Sequence, residues 1–153
     1  MSDLCTLVVA AAASLMVSSG GHAQAPPTPD EAKSVTLQAV ALLAAKGVDA
    51  ARPILHQEGP YRHGEIYVNV IDLEGHWLVY PPYPAGEGRN MVSIKDVDGK
   101  PVVQDILRLA REKGEGWIEY RWVNPMTSRI QHKLTYVKRV PDLPAVAYVG
   151  VYR

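Results

Sequence analysis

Cysteine is nearly missing from this chain, with one residue, Cys5, in 153. A lone thiol forms no intramolecular disulfide. Cys5 also lies at the edge of an apolar N-terminal run, so thiol catalysis and disulfide staples are excluded from the body of the chain. Phenylalanine is absent, while tyrosine occurs eight times and tryptophan three times. Every phenyl or indole ring therefore carries a polar handle, which suits rings at partly wet sites. An excess of either charge is lacking too, since Lys+Arg and Asp+Glu are 16 each. A nucleic-acid binder needs a net basic surface to displace counterions, and a polybasic membrane patch needs a cluster of cations. Neither is present. Long hydrophobic runs are missing as well. The apolar stretch "LVVAAAASLMVSS", Leu7 to Ser19, is too short to span a bilayer.

That stretch has the form of a secretory h-region, although Asp3 and no Lys or Arg precede it. Small residues allow cleavage after Ala23 or after Ala25, and Ala23 is preferred because the alternative leaves Pro26 at the new terminus. The expected organisation is a signal peptide over 1–23 and one domain over 28–153, with the mature protein periplasmic or secreted. Apolar residues make up 47 % of the chain, enough for a core.

In "APPTPDEAK", Thr28 can cap a helix, Pro29 takes its first position and Glu31 completes a T-x-x-E capping box. The helix should run to Lys46 and stop at Gly47. "VDAARPILHQEG" reads as a short second helix broken at Pro53. The period then changes to two. Strands are expected in "EIYVNVID", "HWLVY", Trp117–Trp122, Ile130–Lys138 and Ala145–Tyr152. A long Pro- and Gly-rich loop, "PPYPAGEGRNMVSIKDVDG", precedes a helix in "PVVQDILRLAREK". Loops of that length inside a compact domain are often functional. Hairpin-length connections imply an antiparallel sheet. The fold class is therefore α+β: five antiparallel strands with the long N-terminal helix on the aliphatic face. The other face carries rings and polar groups, and the loop can fold over it.

On that second face, Tyr120 and Trp122 alternate with Arg121, and the facing strand offers Lys133. A lysine on a strand is most often solvated. Beside a carboxylate it gives charge-assisted hydrogen bonds instead, with a tyrosine hydroxyl as second donor and an indole as apolar wall. Tyr67 and Asn69 share one side of the first strand. Tyr80, Tyr83 and Arg89 come from the end of the second strand and the loop, where Arg89 is either a bidentate carboxylate clamp or a solvated residue. The histidines show no metal-ligand spacing, and "DVDGK" lacks the ligand pattern of a calcium loop and reads as a turn. No metal or cofactor is expected. No G-x-S-x-G and no readable Ser, His and acid set is present. A small enzyme and a docking module with a Tyr-rich face remain the rival classes.

The segments "YVNVIDLEGHWLVYP", "GRNMVSIKDVDGKPVV", "GEGWIEYRWVNPMTSRIQHKLTYVKRV" and "YVGVY" resemble the single Cache domain of bacterial extracytoplasmic sensors. The likeness covers about residues 30–153. It rests on the order D-x-x-G, D-x-D-G-K, G-x-G-W-x-x-Y-x-W, K-x-x-Y and G-x-Y. The resemblance implies a PAS-like sheet with a long N-terminal helix and a role in signal transduction or chemotaxis. It also implies a short organic acid as ligand and a membrane receptor, sensor kinase or transporter as partner. Its K-x-x-Y match adds Tyr136 to Lys133. The expected ligand-binding set is thus Tyr67, Asn69, Tyr80, Arg89, Tyr120, Trp122, Lys133 and Tyr136. Two positions depart from the family's pattern: Asn69 stands where an aromatic residue is usual, and Tyr80-Pro81 where many members have His-Pro.

Overall fold

The computed structural model describes residues 25–153; the expected signal peptide and its cleavage site lie outside them. Helix α1 spans Pro29–Lys46. The Thr28 hydroxyl accepts from the Glu31 N–H at 3.2 Å and relieves one of the orphan donors of the first turn. The Glu31 carboxylate pairs with His63 at 2.9 Å. Ala32, Val35, Thr36, Ala39, Val40 and Leu43 form its buried stripe at helical spacing. The Thr36 hydroxyl is absorbed by the Ala32 carbonyl at 2.8 Å. Gly47 (φ 77°) ends α1 and opens α2, Val48–His56. Pro53 lies inside α2 without breaking it, contrary to the sequence expectation. In so short a helix a missing N–H removes one hydrogen bond, and burial of Ala51 and Leu55 holds the remaining turns.

Seven strands follow in chain order: β1 (Arg62–His63), β2 (Ile66–Tyr67), β3 (Asn69–Asp72), β4 (Trp77–Val79), β5 (Glu115–Val123), β6 (Ile130–Arg139) and β7 (Ala145–Tyr152). Helix α3, Val102–Glu112, lies between β4 and β5. The main sheet has the order β4-β3-β7-β6-β5, and every pair in it is antiparallel. This is the five-stranded α+β architecture expected. The first expected strand is divided: β2 pairs with β1 in a small ribbon, and β3 joins the main sheet. Its alternation nevertheless continues through Val68, so that Tyr67, Asn69 and Ile71 share one side.

The last strand, β7, sits at the centre, and all its residues are buried. Ala145, Ala147, Val149 and Val151 point to α1 and α2, where they join Ile66, Val68, Val70 and Val79 in the aliphatic core. Val146 and Tyr148 point the other way, into a second core with Ile71, Trp77, Tyr120, Val137 and the apolar face of α3. Both faces of the sheet are thus covered, the second by α3 and residues from the loop before it.

Two turns fix that cover. Asp72 accepts from the Glu74 and His76 amides at 3.0 and 2.8 Å and pairs with the His76 ring at 2.8 Å, which explains the D-x-x-G pattern as a side-chain-closed turn. In "DVDGK", Asp96 Oδ1 accepts from the Asp98 and Lys100 amides, each at 2.9 Å, and Oδ2 accepts from Arg121 N at 3.0 Å. The segment is a turn strapped onto β5 at the edge of the sheet.

Candidate ligand pocket

The antiparallel register puts Tyr120, Lys133 and Tyr152 in one row, with Tyr120 opposite Lys133 on β5/β6 and Lys133 opposite Tyr152 on β6/β7. Lys133 is therefore on an interior strand and is 2 % exposed, so it is not a solvated lysine. Its side chain crosses β7 over Gly150. A Cβ built on Gly150 would lie 2.4 Å from Lys133 Cε and 2.4 Å from Thr135 Oγ1. The glycine of the G-x-Y pattern is the gap through which the lysine reaches Tyr67.

At the end of that path Lys133 Nζ donates to Tyr67 Oη at 2.6 Å. The Tyr67 and Tyr152 hydroxyls are 2.8 Å apart, and Tyr152 Oη donates to the Val123 carbonyl at 3.0 Å. Because a carbonyl only accepts, the chain has one direction: Lys133 to Tyr67 to Tyr152 to Val123. The ammonium also stands 4.4 Å from the Tyr67 ring centre and 4.7 Å from that of Tyr152, within cation–π range. It forms no ion pair among the described residues. Burial lowers its pKa from 10.5 to about 7, and the field of Glu65 opposes this only in part. The same burial raises the pKa values of Tyr67, Tyr120, Tyr148 and Tyr152, so these hydroxyls stay protonated beside it.

Lys133 lines a cavity of about 20 Å³ together with Asn69, Trp77, Tyr80, Tyr120, Trp122 and Tyr148. Ile94 from the loop and Val102 and Val103 from α3 close it. That volume is on the order of one water molecule. The rings are ordered by each other. Trp77 and Tyr80 stack at 3.9 Å, Tyr120 meets Trp122 edge-on at 6.0 Å, and the Trp122 N–H donates to Tyr80 Oη at 3.4 Å. Tyr120 Oη accepts from Thr135 at 3.1 Å. Among the described residues, Asn69 Oδ1 and Trp77 Nε1 are buried without a hydrogen-bond partner. The cavity thus offers one cation with spare N–H groups, apolar ring walls, an unused amide oxygen and an unused Trp77 N–H, and no acidic residue among those described lines it.

Of the eight residues singled out in the sequence, Asn69, Tyr80, Tyr120, Trp122 and Lys133 line this cavity, and Tyr67 adjoins it through Lys133. Tyr136 does not reach it. Three positions along a strand is an odd step, so Tyr136 points to the α1 side. There its hydroxyl donates to Glu115, Lys33 lies 5.2 Å from its ring, and its pKa is pushed up to about 12 by burial and then by that carboxylate. Arg89 is exposed on the loop with its guanidinium 5.8 Å from the Tyr83 ring. The sequence reading missed Trp77, Tyr148, Ile94 and Tyr152. The alternation used on the first strand would have found Tyr148 and Tyr152 on the last, since both share parity with Gly150.

An antiparallel five-stranded sheet with a helix on one face, and on the other an apolar-walled cavity holding a buried lysine under a loop and a helix, defines an α+β domain with an interior site. The profile of the single Cache domain 2 family matches residues 24–153, and the chain belongs to that family. It is 31 % identical over 86 residues to the sensor histidine kinase MctS of Rhizobium johnstonii, a segment that is 56 % of this chain and 18 % of the kinase. It is 28 % identical over 92 residues to the methyl-accepting chemotaxis protein McpP of Pseudomonas putida, covering 60 % of this chain and 17 % of that protein. The chain thus corresponds to less than a fifth of either relative.

Among solved structures, a methyl-accepting chemotaxis protein from Vibrio parahaemolyticus superposes with a TM-score of 0.70 at 21 % identity. That match covers 80 % of this chain and 86 % of the other, and it shows the fold. A Cache chemosensory domain whose structure was described for its carboxylic acid recognition superposes at 0.65 with 26 % identity, over 80 % and 86 % of the two chains. Members of this family are sensor domains of chemoreceptors and kinases, placed outside the cytoplasm. Among the described residues no helix is long and apolar enough to cross a membrane.

Proposed function

We propose that this domain is a periplasmic or secreted sensor module that binds a short organic acid at Lys133, without turning it over. It passes occupancy to a membrane receptor, sensor kinase or transporter. The observation that carries this reading is the buried ammonium of Lys133, held by one tyrosine hydroxyl and two ring faces and without a carboxylate partner among the described residues. A buried charge of this kind is unfavourable unless something anionic completes it. A ligand carboxylate would do so through charge-assisted hydrogen bonds, while Trp122 and Tyr120 flank a short alkyl chain. The carboxylic acid recognised by one structural neighbour supports the same ligand class. The small cavity favours short acids, and Ile94 with Val102 and Val103 must move aside to admit one.

A thermal-shift screen of the protein against short organic acids, amino acids and amines tests the reading. A ligand at 100 times its dissociation constant adds about 2.7 kcal/mol of stability. Each kcal/mol raises the melting point by roughly 2–4 °C at this chain length. Short monocarboxylates should shift the wild type and leave Lys133→Met unmoved. The proposal fails if no acid shifts the wild type, or if both proteins respond alike.

A further inference from the structure

Asn69 is 1 % exposed, and its two amide atoms have different fates. Nδ2 donates to the Tyr148 carbonyl at 3.4 Å. Since that carbonyl can only accept, the amide is fixed with its nitrogen toward β7 and its oxygen away from it. The oxygen is one of two buried side-chain atoms that no group of the described residues satisfies; the other, Trp77 Nε1, is a donor in the same lining. Asn69 and Lys133 line the same cavity. A buried amide oxygen left unpaired carries a desolvation penalty that a well-placed donor removes.

The donor that fits is constrained by its surroundings. A ligand ammonium would bring a second positive charge beside Lys133, and the lining holds no acid to offset it. A keto oxygen could accept from the Trp77 N–H, but it would leave Oδ1 unpaired. An unsubstituted alkyl chain would leave Oδ1 as it is. A hydroxyl is neutral and can donate, and the shortest acids that carry one bear it on the carbon next to the carboxylate, which suits so small a cavity.

We propose that Asn69 is a specificity-determining residue that selects short 2-hydroxy acids: the carboxylate meets Lys133 and the hydroxyl donates to Asn69 Oδ1. This inference rests on the reading of the cavity as an organic-acid pocket.

Calorimetric titration of the full chain at pH 6.5 with 2-hydroxypropanoate, 2-oxopropanoate and propanoate separates the two claims. These probes share a three-carbon skeleton and differ at one position. The hydroxy acid should bind about ten-fold more tightly than either of the others, the scale of one unmade buried hydrogen bond. Asn69→Leu, which keeps the branching at Cγ without the polar atoms, should bring the hydroxy acid down to the affinity of propanoate. Equal affinities of the three acids for the wild type would overturn the role of Asn69 and leave the acid pocket standing. A preference that survives in Asn69→Leu would overturn it as well. Absence of binding by all three would overturn the inference together with the reading beneath it. If Asn69→Leu does not fold, the wild-type ranking alone decides.

Discussion

At the scale of the residue, Lys133 trades stability for a ready charge. Its pKa falls from 10.5 to about 7 because burial penalises the ammonium. The sign of the pH dependence follows. Between about pH 7 and 10.5 the unfolded chain binds more protons than the folded one, so stability contributed through this group rises with pH. The penalty is complete below pH 7 and fades as pH climbs toward the unfolded value. Methionine keeps the unbranched chain as far as Cε without the charge. Lys133→Met should therefore melt at a higher temperature than the wild type at pH 6.5, by an amount equivalent to a few kcal/mol at most. The gap should narrow by pH 9.5. His63, whose pKa is raised by Glu31, acts in the opposite sense near neutrality, but it is present in both proteins and cancels in the comparison. Thermal melts of the two proteins across that range check this, and a gap that stays constant with pH would refute the assignment of the penalty to the ammonium.

At the scale of the element, the pocket depends on where a strand lacks a side chain and on what pins the loop. Gly150 is at an ordinary extended position in β7, so alanine meets no backbone strain there. The cost of Gly150→Ala is the collision of a new methyl group with Lys133 Cε and Thr135 Oγ1. Overpacking of this kind costs roughly 1–3 kcal/mol. The variant should melt lower and lose acid binding together, whereas a cavity independent of the lysine's path would keep its affinity. The strap formed by Asp96 makes a different prediction. Asp96→Ala removes the acceptor of Arg121 N and of two turn amides, so hydrogen exchange at Arg121 should accelerate. Association and dissociation rates of the acid should rise together, measured by stopped-flow tryptophan fluorescence.

Element by element, the sequence exposed whatever depends on local period. Alternation along β5 and β6 placed Tyr120, Trp122 and Lys133 on one face, and the capping residues marked α1. Parity also separates Tyr136 from Lys133, because the K-x-x-Y pattern joins positions on opposite faces of β6. Arg89 and Ile94 were beyond reach for another reason. The loop that carries them has no period, and its course is set by contacts distant in sequence, such as Glu87 with His56 and Asp96 with β5. The division of the first strand at Val68 was equally hidden, because it depends on which partners β2 and β3 find.

At the scale of the whole molecule, the two covered faces of the sheet have different duties. The α1 side is aliphatic and supplies the stable core. The α3 side accepts a buried cation and an amide oxygen without a partner among the described residues, which detract from stability, beside a row of hydrogen-bonded hydroxyls. That division links ligand, proton and fold. In the empty domain Lys133 is about half protonated near pH 7. A bound carboxylate favours the ammonium and raises its pKa, so above pH 7 binding must take up a proton. The surrounding tyrosines have raised pKa values and do not titrate in this range. The dissociation constant for a short acid should be nearly flat from pH 5.5 to 6.5, then weaken by up to about ten-fold per unit above pH 7. At pH 8, calorimetry in two buffers of different ionisation enthalpy should give different apparent binding enthalpies, with a slope approaching one proton taken up per acid bound. Identical enthalpies in the two buffers, or a dissociation constant unchanged between pH 7 and 9, would mean that Lys133 is already charged in the empty domain, and its burial would then not couple acid binding to pH.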